Sequence, residues 1–102
     1  MKKNTFLGIG TLIVTDEIVV AYVDVILNII KNGGATFEDT RNICETLMFL
    51  RDNYKGNEAA WVHLDRVTNS VYCLYLDNIA PPFGDYSRDL ITQLLAVKAI
   101  LV

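Results

Sequence analysis

The chain has few of the residues from which most recognisable site chemistry is built. Among 102 residues there are two cysteines, Cys44 and Cys73, and one histidine, His63. A disulfide-stapled secreted domain carries more cysteine, and these two lack the spacing of a zinc site. They read as two buried thiols in a reducing cytoplasm; the intracellular proteins of hyperthermophiles are the exception that could pair them. No GxGxxG, P-loop, HExxH, GxSxG or CxxC pattern occurs, so the common nucleotide, zinc-protease, hydrolase and redox signatures are missing. Positive charge is also short. Nine Lys plus Arg against twelve Asp plus Glu leave a net charge of −3, and Lys2-Lys3 is the only adjacent basic pair. Phosphate-backbone binding draws on a basic face, so nucleic acid is disfavoured as a partner. Long apolar runs are absent as well: Ile18 to Ile30 is broken by Asp24 and Asn28 and is too short to cross a bilayer. Lys2-Lys3 followed by apolar Phe6 to Val14 imitates a signal peptide, but Thr15-Asp16-Glu17 comes next, without a small-residue cleavage site. That run reads better as a first strand.

What is present is apolar surface and an apparent duplication. The composition is 52% hydrophobic, high for a small domain that has much surface to cover. Surplus apolar surface ends in interfaces, so a homodimer or another protein partner is expected. Val14 to Asp24 aligns without gaps on Val67 to Asp77 and shares with it Val, Thr, Tyr and Asp at equivalent positions. A repeat of this length implies two copies of one supersecondary unit.

Phe6–Val14 and Ile18–Leu27 are rich in residues that suit a pleated surface, with Thr15-Asp16-Glu17 as a short polar turn between them. Ala59–Val67 and Val71–Asp77 repeat the pattern around Thr68-Asn69-Ser70. Asn32-Gly33-Gly34 signals a turn, and Pro81-Pro82 cannot continue a central strand. Thr36-Phe37-Glu38-Asp39 opens a helix, with Thr40, Ile43, Cys44, Leu47, Leu50 and Tyr54 on one face and an end near Asn53 to Gly56. A second helix, capped by Asp85, carries Leu90, Ile91, Leu94, Leu95, Val97 and Leu101 to the C-terminus. The helices align too, Thr40-Arg41-Asn42-Ile43 on Ser87-Arg88-Asp89-Leu90. The expected fold is therefore α+β in one domain, residues 1–102. Two ββα repeats, 5–55 and 58–102, are related by pseudo-twofold symmetry, each hairpin packed on one helix.

Strand parity places Gly8, Gly10, Leu12, Val14, Val19, Ala21, Val23 and Val25 beneath the first helix. The opposite face carries Tyr22 and Asp24 in one hairpin and Tyr75 and Asp77 in the other. Half apolar with aromatic and acidic tips, that face suits contact with protein. The leading expectation is a non-enzymatic interaction module, its groove between the repeats accepting an extended peptide by β-augmentation. Tyr22, Asp24, Tyr75, Asp77 and Trp61 are the candidate partner-binding residues. The alternative is a small metal-binding protein or hydrolase using Asp24 and Asp77 as paired carboxylates, or His63. No nucleophile or base accompanies either Asp. His63 with Asp65 supplies two ligands and no evident third, and the same parity turns Cys73 away from His63. No catalytic residue, metal or cofactor is assigned. Arg41 and Arg88 oppose their helix dipoles and are expected to pair with neighbouring acids.

In its length and its paired Val-Thr segments at Val14 and Val67, the chain resembles the small orphan proteins of archaeal filamentous viruses. That resemblance implies a viral protein in the cytoplasm of a hyperthermophilic host, with no established enzyme class. The Lys and Glu enrichment common in hyperthermophile proteins is absent here.

Overall fold

In the computed structural model, residues 13–32 and 36–102 are described, and they are helical where strands were expected. The elements are α1 (Asp16–Asn32), α2 (Phe37–Asn53), α3 (Glu58–Leu76), a 3-10 turn (Gly84–Tyr86) and α4 (Ser87–Leu101). Among the described residues there is no sheet; one isolated parallel bridge joins Val14 to Tyr54. The α+β fold of two ββα repeats is thus replaced, among the described residues, by a bundle of four helices. The first-strand reading of Phe6–Val14, the Gly8 and Gly10 positions and the Asn32-Gly33-Gly34 turn lie largely or wholly outside the described residues.

The first correction is at α1. Thr15, read as part of a hairpin turn, caps a helix: its Oγ1 accepts the Ile18 N–H at 3.2 Å and its carbonyl accepts that of Val19 at 3.0 Å. Asp16 and Glu17 then sit in the first turn and Lys31 in the last, each matching the helix dipole. Val19, Val23, Ile26, Leu27 and Ile30 are buried, a stripe at steps of four, three, one and three. A Val or Ile costs at most about 0.7 kcal/mol of helix propensity. Burying the same side chain returns about 1.5–3 kcal/mol, so packing outweighs local preference.

The second correction is at α3, where both expected strands and their Thr68-Asn69-Ser70 turn form one uninterrupted helix. Asn57 caps it, accepting the Ala60 N–H at 3.0 Å. Ala60, Leu64, Val67, Thr68, Val71 and Leu74 form its buried side. Thr68, 1% exposed, donates its hydroxyl to the Leu64 carbonyl one turn back at 2.6 Å, so it needs no turn to satisfy it. The Val-Thr pair that suggested a duplication therefore precedes a helix at Val14-Thr15 and lies in mid-helix at Val67-Thr68. The α3 terminus closes with a Schellman arrangement: Ile79 N–H to Leu74 carbonyl at 3.0 Å and Asn78 N–H to Tyr75 carbonyl at 3.1 Å. Asn78 takes the left-handed conformation there, φ 60°, which asparagine tolerates well.

The two helices expected from the sequence are present. Thr40, Ile43, Cys44, Leu47 and Leu50 of α2 are buried together, with Tyr54 just past its end. At the α2 start the Asp39 carboxylate accepts the Thr36 N–H at 3.0 Å. In α4, Leu90, Leu94 and Val97 are buried, whereas Leu95 is exposed. Asp85 falls in the 3-10 turn and makes no side-chain cap to α4. Before that turn, Phe83 holds φ 75° with its ring buried, a strained backbone offset by the apolar surface it covers.

Helix α3 lies between α2 and α4, and α1 packs on α4 and touches α2. The short 54–57 connection returns α3 antiparallel to α2: Phe37 at the start of α2 stacks on Tyr75 near the end of α3, and Arg51 meets Asp65. Two polar links fasten α1. Lys98 of α4 pairs with Asp24 at 2.8 Å, and Tyr54 donates its hydroxyl to Asp16 at 2.6 Å.

Candidate functional site

The feature best formed for recognition is the seam between α2 and α3. Every residue of the α3 series Trp61, Asp65, Thr68, Tyr72 and Tyr75 turns toward α2, as steps of four and three require on a helix. Trp61 donates its indole N–H to the Arg51 carbonyl at 2.8 Å, and Asp65 accepts from Arg51 at 3.3 Å. Thr68 lies 3.5 Å from the Leu47 carbonyl. Tyr75 stacks on Phe37, with centroids 5.5 Å apart and planes 11° from parallel, and Tyr72 stacks on Tyr75 at 6.5 Å.

Between these contacts the seam opens into two shallow concavities. One, of about 220 Å³, is lined by Arg41, Cys44, Glu45, Met48, Tyr72 and Tyr75. The next, of about 250 Å³, is lined by Met48, Arg51, Thr68, Asn69 and Tyr72. Met48 and Tyr72 line both, so the two concavities adjoin along the seam as a groove. They are 37% and 45% exposed, so large soft side chains face solvent at its centre. Cys44 forms the floor, its Sγ 3.9 Å from the Met48 Sδ. Burial, and secondarily Glu45, pushes the Cys44 thiol above its usual range, so it stays a neutral, unreactive thiol. On the rim, Arg41 pairs with Glu38 at 2.7 Å, as expected from the sequence. That hydrogen bond and the charges of Glu38 and Glu45 hold the guanidinium even more firmly protonated. Arg88 forms no ion pair among the described residues.

The five residues whose sequence pattern suggests partner binding do not share one groove. Tyr75 is in this seam, and Trp61 pins one end of it. Tyr22 lies on the other side of α2, where it lines a concavity with Val25, Ile26, Ile29, Asn42, Ile43 and Thr46. Asp24 is tied to Lys98. Asp77 ends α3 and lines a further concavity with Ser70, Cys73, Leu74, Tyr86, Asp89 and Leu90. The expected groove between two repeats has no counterpart, because the repeats themselves are not formed. His63 bonds Gln93 of α4 through Nδ1 at 2.7 Å. No group of three or more His, Cys, Asp or Glu among the described residues is placed to hold a metal ion. Cys44 is buried as expected, but Cys73 is exposed, and both are free thiols. Met48, Tyr72, Arg41 and Glu45 were not picked as site residues. The four-and-three spacing from Trp61 to Tyr75 was the signal that could have revealed their groove.

Comparison with protein-family models, curated proteins and solved structures finds no match for this chain. No helix among the described residues is long and apolar enough to cross a membrane.

Proposed function

We propose that this chain is a non-enzymatic protein-interaction module whose α2–α3 groove receives a helical segment of a protein. The observation that carries the reading is the exposure of Met48 and Tyr72 between two adjoining concavities, one of them flanked by Arg41 and Glu45. Tyrosine, methionine and arginine are the residue types enriched where proteins meet. With no sheet edge among the described residues, β-augmentation gives way to the helix-in-groove mode, in which apolar anchors at helical spacing enter a concave apolar surface. Two free thiols, one of them exposed, suit a cytoplasmic setting.

The reading is tested by selecting helical peptides from a displayed library against the folded chain, then measuring their affinity for Tyr72→Glu and Met48→Glu variants. A desolvated anchor pocket of this kind carries about 2 kcal/mol or more, so each variant weakens binding by about thirtyfold. Selected peptides that bind both variants as tightly as the parent would refute the assignment.

A further inference from the structure

We propose that the occupant of the α2–α3 groove is a second copy of this chain, docked about a twofold axis that crosses α2 between Arg41 and Glu45. This rests on the interaction-module reading and names its partner. A twofold contact must be complementary to itself: where residue i meets residue j, j meets i. The α2 rim of the groove has that property. Arg41 and Glu45 lie one turn apart, carry opposite charge and both line the concavity beside Met48, Tyr72 and Tyr75. An antiparallel copy laid across the axis sets Arg41 against Glu45 of the second copy, and the symmetry repeats the pair.

The charges also select the register. Sliding α2 by one turn in one direction sets Glu45 against Glu45; sliding it in the other sets Arg41 against Arg41. In the proposed register Glu38 comes opposite Met48, so no carboxylates meet. Glu45 is available for the pairing, since it has no ion-pair partner among the described residues. Arg41 engages Glu38 through Nη2, and a guanidinium has five N–H donors to distribute. On either side of the axis Met48 and Tyr72, left in water by the monomer, are covered by the copy. Tyrosine, methionine and arginine are residue types enriched at protein interfaces.

The test is sedimentation equilibrium on the full chain and on Arg41→Glu, Glu45→Arg and the double exchange, with helicity followed by circular dichroism. Each single reversal sets like charges against each other twice across the axis and weakens the dimer by about tenfold or more. The double exchange restores the parent affinity to within about threefold, because the two sites couple across the interface. Tyr72→Ala weakens the dimer without touching the charge pattern. A parent chain that is monomeric at every concentration overturns the proposal, as do single reversals without effect or a double exchange that fails to rescue. A monomeric parent that still binds selected helices through Tyr72 refutes the second copy alone; loss of both refutes the groove as well.

Discussion

Replacing Gly56 with alanine tests how the bundle is fastened at the junction of three elements. Tyr54 is 2% exposed. Its hydroxyl donates to Asp16 at the start of α1 at 2.6 Å and accepts the N–H of Asn57, the α3 cap, at 2.7 Å. A β-carbon at Gly56 would stand 2.5 Å from that oxygen and 2.7 and 2.8 Å from Cζ and Cε1 of the ring. The ring must then move and surrender both bonds. The charge-assisted bond to Asp16 is worth about 1.5–3 kcal/mol, and the stranded Asn57 N–H costs about 1–3 kcal/mol, less where water reaches it. Gly56 is not in the left-handed region, so alanine recovers about 0.4–1 kcal/mol of unfolded-chain entropy. The clash wins, and the net loss is about 2–4 kcal/mol. That is a large fraction of a small domain's stability, about 5–15 kcal/mol. Urea unfolding followed by circular dichroism reads it. Tyr54→Phe removes the same two bonds without a clash. Gly56→Ala added to it should therefore cost at least about 1 kcal/mol less than in the parent. Strict additivity, or a stabilising Gly56→Ala, would refute this account of the junction.

Four further outcomes are expected. Burial, and then the bond to Asp16, pushes the Tyr54 hydroxyl above its usual 10. Its contribution is therefore full below about pH 10 and lost as pH rises through the folded value, and urea midpoints across that range should decline less in Tyr54→Phe. In the folded protein a thiol reagent modifies exposed Cys73 rapidly and buried Cys44 slowly, and in denaturant it modifies both at once; equal folded-state rates would contradict the buried floor of the groove. Thr40→Val deletes the 2.7 Å bond that ties buried Thr40 of α2 to the Ile79 carbonyl after α3. It should lower stability by about 1–2 kcal/mol in the same urea assay, since the carbonyl is left without that donor. Lys98→Ala, by contrast, removes an exposed pair with Asp24, and a change above about 1 kcal/mol would show that this link fastens α1 more strongly than surface pairs do.

Helices α2 and α4 were legible in the sequence because each carries an apolar stripe at helical spacing, Ile43, Leu47 and Leu50 in one and Leu90, Leu94, Val97 and Leu101 in the other. Leu47 and Leu50, like Leu94 and Val97, lie three apart, so no strand sets both members of either pair on one face. In α1 and α3 the β-branched and aromatic residues are dense enough to satisfy either period. Val19, Val23, Ile26, Leu27 and Ile30 make a helical stripe, yet Val19, Ala21, Val23 and Val25 also make a strand face. Local preference tips that ambiguity toward strands and makes the polar triplets at Thr15 and Thr68 read as turns. Thr15 is instead a cap, and Thr68 bonds back to Leu64 within its own helix. The groove was hidden for the same reason. Under period two, Tyr72 and Tyr75 point to opposite faces; on a helix they are neighbours that stack.

Residue content and spacing alone set the scarcity of metal-site and nucleophile chemistry, the acidic balance, the surplus of apolar surface and the stripes of α2 and α4. Packing in three dimensions made α1 and α3 helices and brought Met48 and Tyr72 to one groove. Helix and strand differ by tenths of a kcal/mol per residue in local preference. The choice between them rests on burial worth about 1.5–3 kcal/mol for each side chain, and that burial exists only once α2 and α4 are there to pack against.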